Sequence, residues 1–187
     1  SVLTLDLSHN RLEDAGVGKV SRHLGARNVL ARLRLQDVGC QSQGLEQLLA
    51  KKAWLAGLDV GGNPLNANAV MSLCQAVGTK RLRWSALGVA SLGRNASELP
   101  TSQLGSWGAV ASRAAAAVAL RAGAPEVSRL ATPFAMVVKE AKQLRELDCS
   151  GNGLGDGDAA YVVDALRESD PMNLERLCLS NNGCEIR

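Results

Sequence analysis

One eleven-residue phrase, repeated along the chain, constrains the fold more than any other feature of the sequence. Its first copy places apolar residues and one asparagine at Val2, Leu5, Leu7, Asn10 and Leu12. Two copies with the same spacing stand near the end of the sequence: Leu144, Leu147, Cys149, Asn152 and Leu154, then Leu174, Leu177, Leu179, Asn182 and Cys184. A phrase that recurs at long intervals indicates an array of stacked units. We therefore expect binding along a surface rather than chemistry in a central pocket.

Less regular copies fill the middle of the sequence. They are Leu30, Leu33, Leu35, Val38 and Cys40; Leu55, Leu58, Val60, Asn63 and Leu65; Thr79, Leu82, Trp84, Leu87 and Val89; and Ala115, Val118, Leu120, Gly123 and Pro125. The first positions then fall at residues 2, 30, 55, 79, 115, 144 and 174. A glycine fourteen residues after the first position, at Gly16, Gly44 and Gly93, supports this register. We predict about six to seven repeats in a single domain over residues 1–187, as part of a longer chain.

Each copy has the pattern of a strand followed by a turn and a helix. Leucines two apart, such as Leu5 and Leu7, point to the same side of an extended chain and enter the core together. The asparagine can bond backbone groups where the chain turns out of the strand. Apolar residues three and four apart then indicate helices, for example over 17–24 and 45–49. No unit can bury its apolar face alone, so neighbouring units must stack.

An irregular insertion of about residues 96–122 interrupts the array, where the step between first positions rises to 36 residues. Residues 109–122 are mostly alanine, which favours helix. This segment therefore either contains a strand at 118–120 or forms one helix from about Trp107 to Arg121. A further helix is predicted over 126–143, with Pro133 as a kink or a restart.

Two segments, Leu5–Gly16 and Leu147–Gly157, are similar to the consensus of the ribonuclease-inhibitor-like class of leucine-rich repeats. The resemblance extends over nearly the whole chain and is clearest in four of the copies. It implies an α/β solenoid that is curved, with parallel strands on the concave face and helices on the convex face. It implies little about function, because proteins of many functions use this repeat.

Composition argues against several classes of function. The 21 basic and 18 acidic residues give a formal net charge of +3, and the chain has one Phe, one Tyr and three Trp. Nucleic acid is therefore not expected as the main partner. No apolar run reaches the roughly 18–20 residues that span a bilayer, and no signal peptide opens the sequence. Cysteines in core positions of the phrase (Cys40, Cys149 and Cys184) are expected to be buried and reduced, in an intracellular, cytoplasmic protein without membrane insertion.

The sequence contains no constellation that indicates catalysis or metal binding. His9 and His23 are its only histidines, and no nucleophile stands beside an activating base. The glycine-rich segment 151–158 has neither the phosphate-loop pattern nor the glutamate of a calcium loop, and the repeat consensus accounts for it. We expect no enzyme activity, no cofactor, no metal and no small-molecule substrate.

The strand positions between the leucines point away from the core, onto the face that the solenoid leaves open. The charged residues predicted there are candidates for partner binding: Asp6, Arg32, Arg34, Asp59, Arg81, Arg83, Glu146, Asp148 and Arg176. In this register the second and fourth units form a basic band around Asp59, with acidic patches at both ends. The pattern suits a partner protein of complementary charge. Alternatively, it is a solvated surface on which exposed ion pairs contribute little.

The leading hypothesis is a non-catalytic scaffold for protein–protein interaction, a structural subunit of a larger eukaryotic assembly whose partners are other protein subunits. The resemblance suggests the cilium and the cytoskeleton as settings, because proteins with this repeat occur in axonemal and other cytoskeletal complexes. Two alternatives stay open. One is a GTPase-activating protein resembling the Ran activator, which requires a charged constellation at a strand-to-helix edge. The other is the sensor segment of a nucleotide-binding immune receptor.

Overall fold

The computed structural model describes residues 3–24, 30–50, 55–78, 85–92, 130–169 and 173–184. Within them strands and helices alternate. The strands are β1 (Thr4–Asp6), β2 (Arg32–Arg34), β3 (Gly57–Asp59), β4 (Ala86–Gly88), β5 (Glu146–Asp148) and β6 (Arg176–Cys178). The helices are α1 (Glu13–His23), α2 (Ser42–Ala50), α3 (Ala67–Gly78), α4 (Ala131–Glu140) and α5 (Asp156–Arg167).

The six strands of the described chain lie in one parallel sheet, in which their order in space is their order in the sequence. Each strand pairs in register with the next, so that the central leucines form one row across the sheet: Leu5, Leu33, Leu58, Leu87, Leu147 and Leu177. Parallel neighbours have to be joined by crossover connections, and here the connections contain the helices. The predicted α/β solenoid is confirmed.

The core lies between the sheet and the layer of helices. Consecutive helices contact one another, so they stack in the same order as the strands. The largest fully buried side chains come from both layers: Phe134, Leu33, Leu35, Leu45, Leu48, Leu58, Leu65, Leu73, Leu87, Leu144 and Leu147. None of the helices in the described ranges has the length and apolarity needed to cross a membrane.

The cysteines of the described chain differ in burial. Cys40, Cys74 and Cys149 are buried. Burial raises the pKa of the Cys40 and Cys74 thiols to about 12, because the thiolate loses its hydration. Cys184 is exposed, so its predicted burial in the core is wrong. Among the described residues no further unit packs beyond β6, so the Cys184 side chain faces solvent instead of a neighbouring unit.

Asn63 joins the third unit to the second and is fully buried. Its Nδ2 donates to three carbonyl oxygens, including that of Leu35 in the preceding unit at 2.6 Å. Its Oδ1 accepts from the N–H groups of Val38 and Cys40 at 3.1 and 3.0 Å. One side chain thus binds five buried backbone groups: the carbonyl of Gly61 also accepts the N–H of Asp37, and the turns leave the other four without a backbone partner.

The same role recurs in the last two units. Asn152 donates to the carbonyl of Val89 and accepts the N–H of Leu92, both in the preceding unit. Asn182 likewise binds the carbonyl of Cys149 and the N–H of Leu154. In the second and fourth units this position holds Val38 and Leu92, which are buried. Asparagine therefore joins units two and three, four and five, and five and six.

The fourth strand lies later in the sequence than predicted. Its outward positions were expected at residues 81–85, whereas β4 is Ala86–Gly88. Leu87 and Val89, both buried, fill the two core positions. The register of this unit, counted from Leu87, is therefore shifted by five residues from the predicted one, and Gly93 loses its predicted spacing. The error arose because two alternating apolar pairs stand five residues apart in this segment, and either pair fits the phrase.

The connection between β4 and α4 is much longer than in the other units. Eight or nine residues separate the central leucine from the first helical residue in the units of β1, β2, β3 and β5, whereas 44 separate Leu87 from Ala131. Even so, α4 packs against α3 and α5, as the helix of the fourth unit should. Strand β4 pairs directly with β5, so no strand of the predicted fifth unit lies between them. The predicted strand at 118–120 and the predicted insertion at 96–122 lie outside the described residues.

Candidate functional site

The open face of the sheet, opposite the helices, is formed by the residues on either side of each central leucine. They lie in two rows that cross all the described strands. The first row is Thr4, Arg32, Gly57, Ala86, Glu146 and Arg176; the second is Asp6, Arg34, Asp59, Gly88, Asp148 and Cys178. Alternate residues of a strand point to opposite sides. Packing of the leucine row against the helices therefore fixes both rows on the open face.

Seven of the nine residues predicted for partner binding lie in these rows: Asp6, Arg32, Arg34, Asp59, Glu146, Asp148 and Arg176. For the other two, Arg81 and Arg83, the binding role stays a prediction; the described strand β4 supplies Ala86 and Gly88 at its outward positions. The two arginines themselves lie outside the described residues. Within the described part of the sheet, the predicted basic band is reduced to the two arginines of β2.

A trough crosses the middle of the open face, and its floor is formed by Gly57, Ala86, Gly88 and the side chain of Asp59. The cavity has a volume of about 170 Å³. A Cβ atom on Gly57 would lie 3.3 Å from Cβ of Ala86, and one on Gly88 would lie 2.6 Å from the carboxyl carbon of Asp59. The sequence pattern did not indicate this trough, because the prediction had placed arginines on the fourth strand.

The two walls of the trough carry opposite charges. Arg32 and Arg34 on β2 form one wall, and Glu146 and Asp148 on β5 form the other. The wall arginines and Glu146 are exposed, while Asp148 is half-buried. The open face therefore has a positive side and a negative side, separated by a floor of small residues and the carboxylate of Asp59.

The carboxylates of the second row are held by the turns that follow their strands. Asp6, Asp59 and Asp148 each accept the backbone N–H of the residue two positions later, at 3.0, 3.1 and 3.0 Å. Hydrogen bonds from Ser8 lower the pKa of Asp6, and the neighbouring arginine on β2 lowers it further. Asp59 also accepts a hydrogen bond from Nε2 of Gln36 at 2.6 Å. The orientation of negative charge on this face is thus set by the backbone.

Only part of this charge is neutralised within the face. Nη1 of Arg34 lies 3.5 Å from Oδ2 of Asp6, in a pair whose side chains are about half exposed, and such pairs contribute little stability. The side chains of Arg32, Glu146 and Arg176 form no ion pair or hydrogen bond with any described residue. Their charges are therefore available to a binding partner.

Cys178 brings a thiol to the negative end of the second row. Its Sγ lies 3.0 Å from Oγ of Ser150 and 3.1 Å from Oγ of Ser180. Hydrogen bonds from these two hydroxyls lower the pKa of the Cys178 thiol, because they stabilise the thiolate. Burial, and after it the nearby carboxylates Asp156 and Asp158, raise the pKa of Cys184. Cys178 and Cys184 are therefore two accessible thiols whose pKa values are shifted in opposite directions, so their reactivities can be compared in one molecule.

We expect iodoacetamide to alkylate Cys178 several-fold faster than Cys184 at neutral pH, since the thiolate is the reactive form. The rate at Cys178 should level off at a lower pH than for an ordinary thiol, because a depressed pKa makes the thiolate fraction complete sooner. Peptide mapping by mass spectrometry measures both rates. In Ser150→Ala the rate at Cys178 should fall. An unchanged alkylation rate would mean that the Ser150 hydroxyl donates its hydrogen bond to Oδ1 of Asp148, 2.6 Å from Oγ, rather than to Cys178.

A row of left-handed backbone residues follows the strands, and it was not predicted. One residue before each asparagine position, φ lies between 48° and 70°: His9, Asp37, Gly62, Ser91, Gly151 and Asn181. At five of these six positions the signal in the sequence is the residue type, since Gly, Asn, Asp and His tolerate this conformation best, and Ser91 is the exception. In the glycine-rich segment, Asp158 accepts the N–H of Gly155 at the start of α5, which is a capping role.

Comparison with known proteins supports the fold. A family model described as "Leucine Rich repeat" matches residues 1–21. Among solved structures, the chain is similar to the tropomodulin C-terminal domain of Caenorhabditis elegans, with a TM-score of 0.57 and 12% identity, over 89% of this chain and 83% of that chain. At this level of identity the likeness concerns the fold alone. No curated protein matches the sequence significantly.

Proposed function

We propose that this leucine-rich-repeat protein is a non-catalytic scaffold of the ribonuclease-inhibitor-like class, which binds other proteins through the open face of its sheet. The observation that carries the proposal is the arrangement of charge on that face. Parallel strands in register place charged side chains in two ordered rows, and three of these side chains have no partner among the described residues. Complementary charge on a partner gives specificity and faster association.

The setting that we propose is a larger intracellular assembly in a eukaryotic cell, in which the chain is a structural subunit. An axonemal or cytoskeletal complex is the form of this proposal that the repeat class suggests. The open face supports a subunit role because each strand adds two further outward residues, so the contact area grows with the number of units.

Affinity purification of the native complex, with mass spectrometry of the recovered proteins, tests the proposal. The wild type is compared with Arg32→Glu/Arg34→Glu on the open face. The matched control is Lys19→Glu/Arg22→Glu, which makes the same change of charge at two exposed positions of α1. Circular dichroism checks that all three proteins are folded.

We expect the wild type and the control to recover the same subunits. The open-face variant should recover about tenfold less, since reversing two contacting charges changes binding by about 1–2 kcal/mol. Equal recovery by all three folded proteins would remove the open face as the binding surface. If a GTPase is among the recovered proteins and its turnover rises on addition of the chain, the rival hypothesis of a GTPase-activating protein replaces the scaffold.

A further inference from the structure

We infer that the trough receives one α-helix of the partner, which lies parallel to the strands with an acidic flank over β2 and a basic flank over β5. The inference rests on the proposed function, because it specifies the partner that the open face binds. It follows from three observations: the width of the floor, the paired backbones of β3 and β4, and the opposite charges of the walls.

The width of the trough fits a helix. Its walls stand on β2 and β5, which are separated by three steps across the sheet. At about 4.8 Å for each step, the walls are about 14 Å apart. An α-helix with its side chains is about 10–12 Å across. The small floor residues Gly57, Ala86 and Gly88 leave a cavity of about 170 Å³ between the walls, and the carboxylate of Asp59 lies over Gly88.

An extended peptide is a poorer fit. Peptides that bind sheets in an extended form add as a strand to an open edge, where backbone groups are free. Strands β3 and β4 have a neighbour on both sides, so their backbone groups already bond within the sheet. A strand laid over the trough would bury its own backbone groups without partners. A helix satisfies those groups internally.

The charges of the walls cannot satisfy each other across the trough. A separation of about 14 Å exceeds the Debye length of about 8 Å at physiological ionic strength. Arg32 on β2 and Glu146 on β5 are the first-row residues of the two walls. Their side chains form no ion pair or hydrogen bond within the described chain. A helix that carries acidic residues on one flank and basic residues on the other complements both walls together.

The same charges fix the direction of the helix. Turning a helix end for end on the surface exchanges its left and right flanks. Only one direction therefore places the acidic flank over Arg32 and Arg34 and the basic flank over Glu146 and Asp148. Asp59 adds negative charge on the floor itself, where its carboxylate lies over Gly88 and accepts a hydrogen bond from Gln36.

A synthetic helix is the probe for this inference. It is an alanine-rich peptide of about 20 residues, long enough to be helical in isolation, with glutamates along one flank, lysines along the other and a fluorophore at one end. The control peptide has the same composition, with both charges mixed on each flank. Fluorescence anisotropy measures the affinity of each peptide for the folded chain. We expect the segregated peptide to bind about tenfold more tightly than the mixed one, a difference of about 1.4 kcal/mol.

Variants of the chain then locate the peptide. Ala86→Trp fills the trough without changing any charge, and Thr4→Trp places the same side chain at the end of the row, on β1. Only the first should abolish binding. Arg32→Glu/Arg34→Glu should weaken binding, and so should Glu146→Lys/Asp148→Lys. The combination of all four changes should restore it, because the peptide can turn end for end.

Equal affinity for the two peptides, undiminished binding to the Ala86→Trp chain, or no recovery in the fourfold variant would each overturn the helix in the trough. These results distinguish a failure of the helix inference from a failure of the scaffold proposal. If native subunits are lost on reversing the β2 wall but the peptide shows none of these differences, the scaffold stands and the helix does not. Loss of both native subunits and peptide on reversing that wall, with recovery of both in the fourfold variant, supports both.

Discussion

Replacement of Asn63 by alanine is expected to lower the free energy of unfolding by about 3–5 kcal/mol, because buried backbone groups left without partners cost about 1–3 kcal/mol each. The side chain serves four such groups, two N–H groups and the carbonyls of Leu35 and Val60, and it is fully buried. The carbonyl of Gly61 keeps the N–H of Asp37. Some of the four groups will be reached by water or by relaxed neighbours, so the loss should fall below the full sum. Urea denaturation followed by circular dichroism measures it.

Asn10 provides the matched control, since it holds the same position in the first unit. It is exposed, and it donates only to the carbonyls of Leu7 and Ser8 in its own turn. Asn10→Ala should therefore cost less than about 1 kcal/mol, since exposed groups regain hydrogen bonds from water. Equal losses of unfolding free energy in Asn63→Ala and Asn10→Ala would show that neither the burial of the asparagine nor its hydrogen bonds between units determine its contribution to stability.

Replacement of Phe134 by alanine is expected to be similarly severe, at about 3–5 kcal/mol, because it removes a large side chain and leaves a cavity. Phe134 is fully buried on α4, which packs between α3 and α5. The chain reaches this helix only after the long connection from β4. The same denaturation experiment therefore tests whether α4 is an integral part of the array.

Met136, on the same helix, is the control for Phe134. It is half-buried, so Met136→Ala should cost about 1–2 kcal/mol or less, in proportion to the apolar area lost. A loss for Phe134→Ala as small as that for Met136→Ala would mean that α4 is loosely attached, and that the fourth unit does not depend on it.

The sequence predicted most of the fold because the repeated phrase has a strong physical cause. Leu33 and Leu35, for example, must be buried together, and alternate positions of a strand leave no other register. The fourth unit departs from this rule because Leu82 and Trp84 fit the phrase as well as Leu87 and Val89 do. Only stacking against β3 and β5 distinguishes the two registers, and that contact cannot be read from the local sequence.

The candidate site depended on that single register. A shift of five residues replaces Arg81 and Arg83 by Ala86 and Gly88 on the open face, and so turns a predicted basic band into a trough. The charges of the other strands were predicted correctly in position, since their leucines are unambiguous. The direct pairing of β4 with β5 could not be predicted either, because the sequence between them is long enough to contain a further unit.

The asparagines also imply how the solenoid responds to mechanical force. They join the second unit to the third, the fourth to the fifth and the fifth to the sixth, but Val38 leaves the first and second units, and Leu92 the third and fourth, without such a link. If the chain is pulled along its axis, we expect the seam between the third and fourth units to open before the seams that asparagine joins, since there the hydrogen bonds from Ser85 to Ala56 and from Gln143 to Val77, rather than a buried asparagine, supplement the backbone ladder and the core contacts. The seam runs along the floor of the trough, between β3 and β4. A partner helix seated there would touch both sides of the seam and act as a clamp against extension.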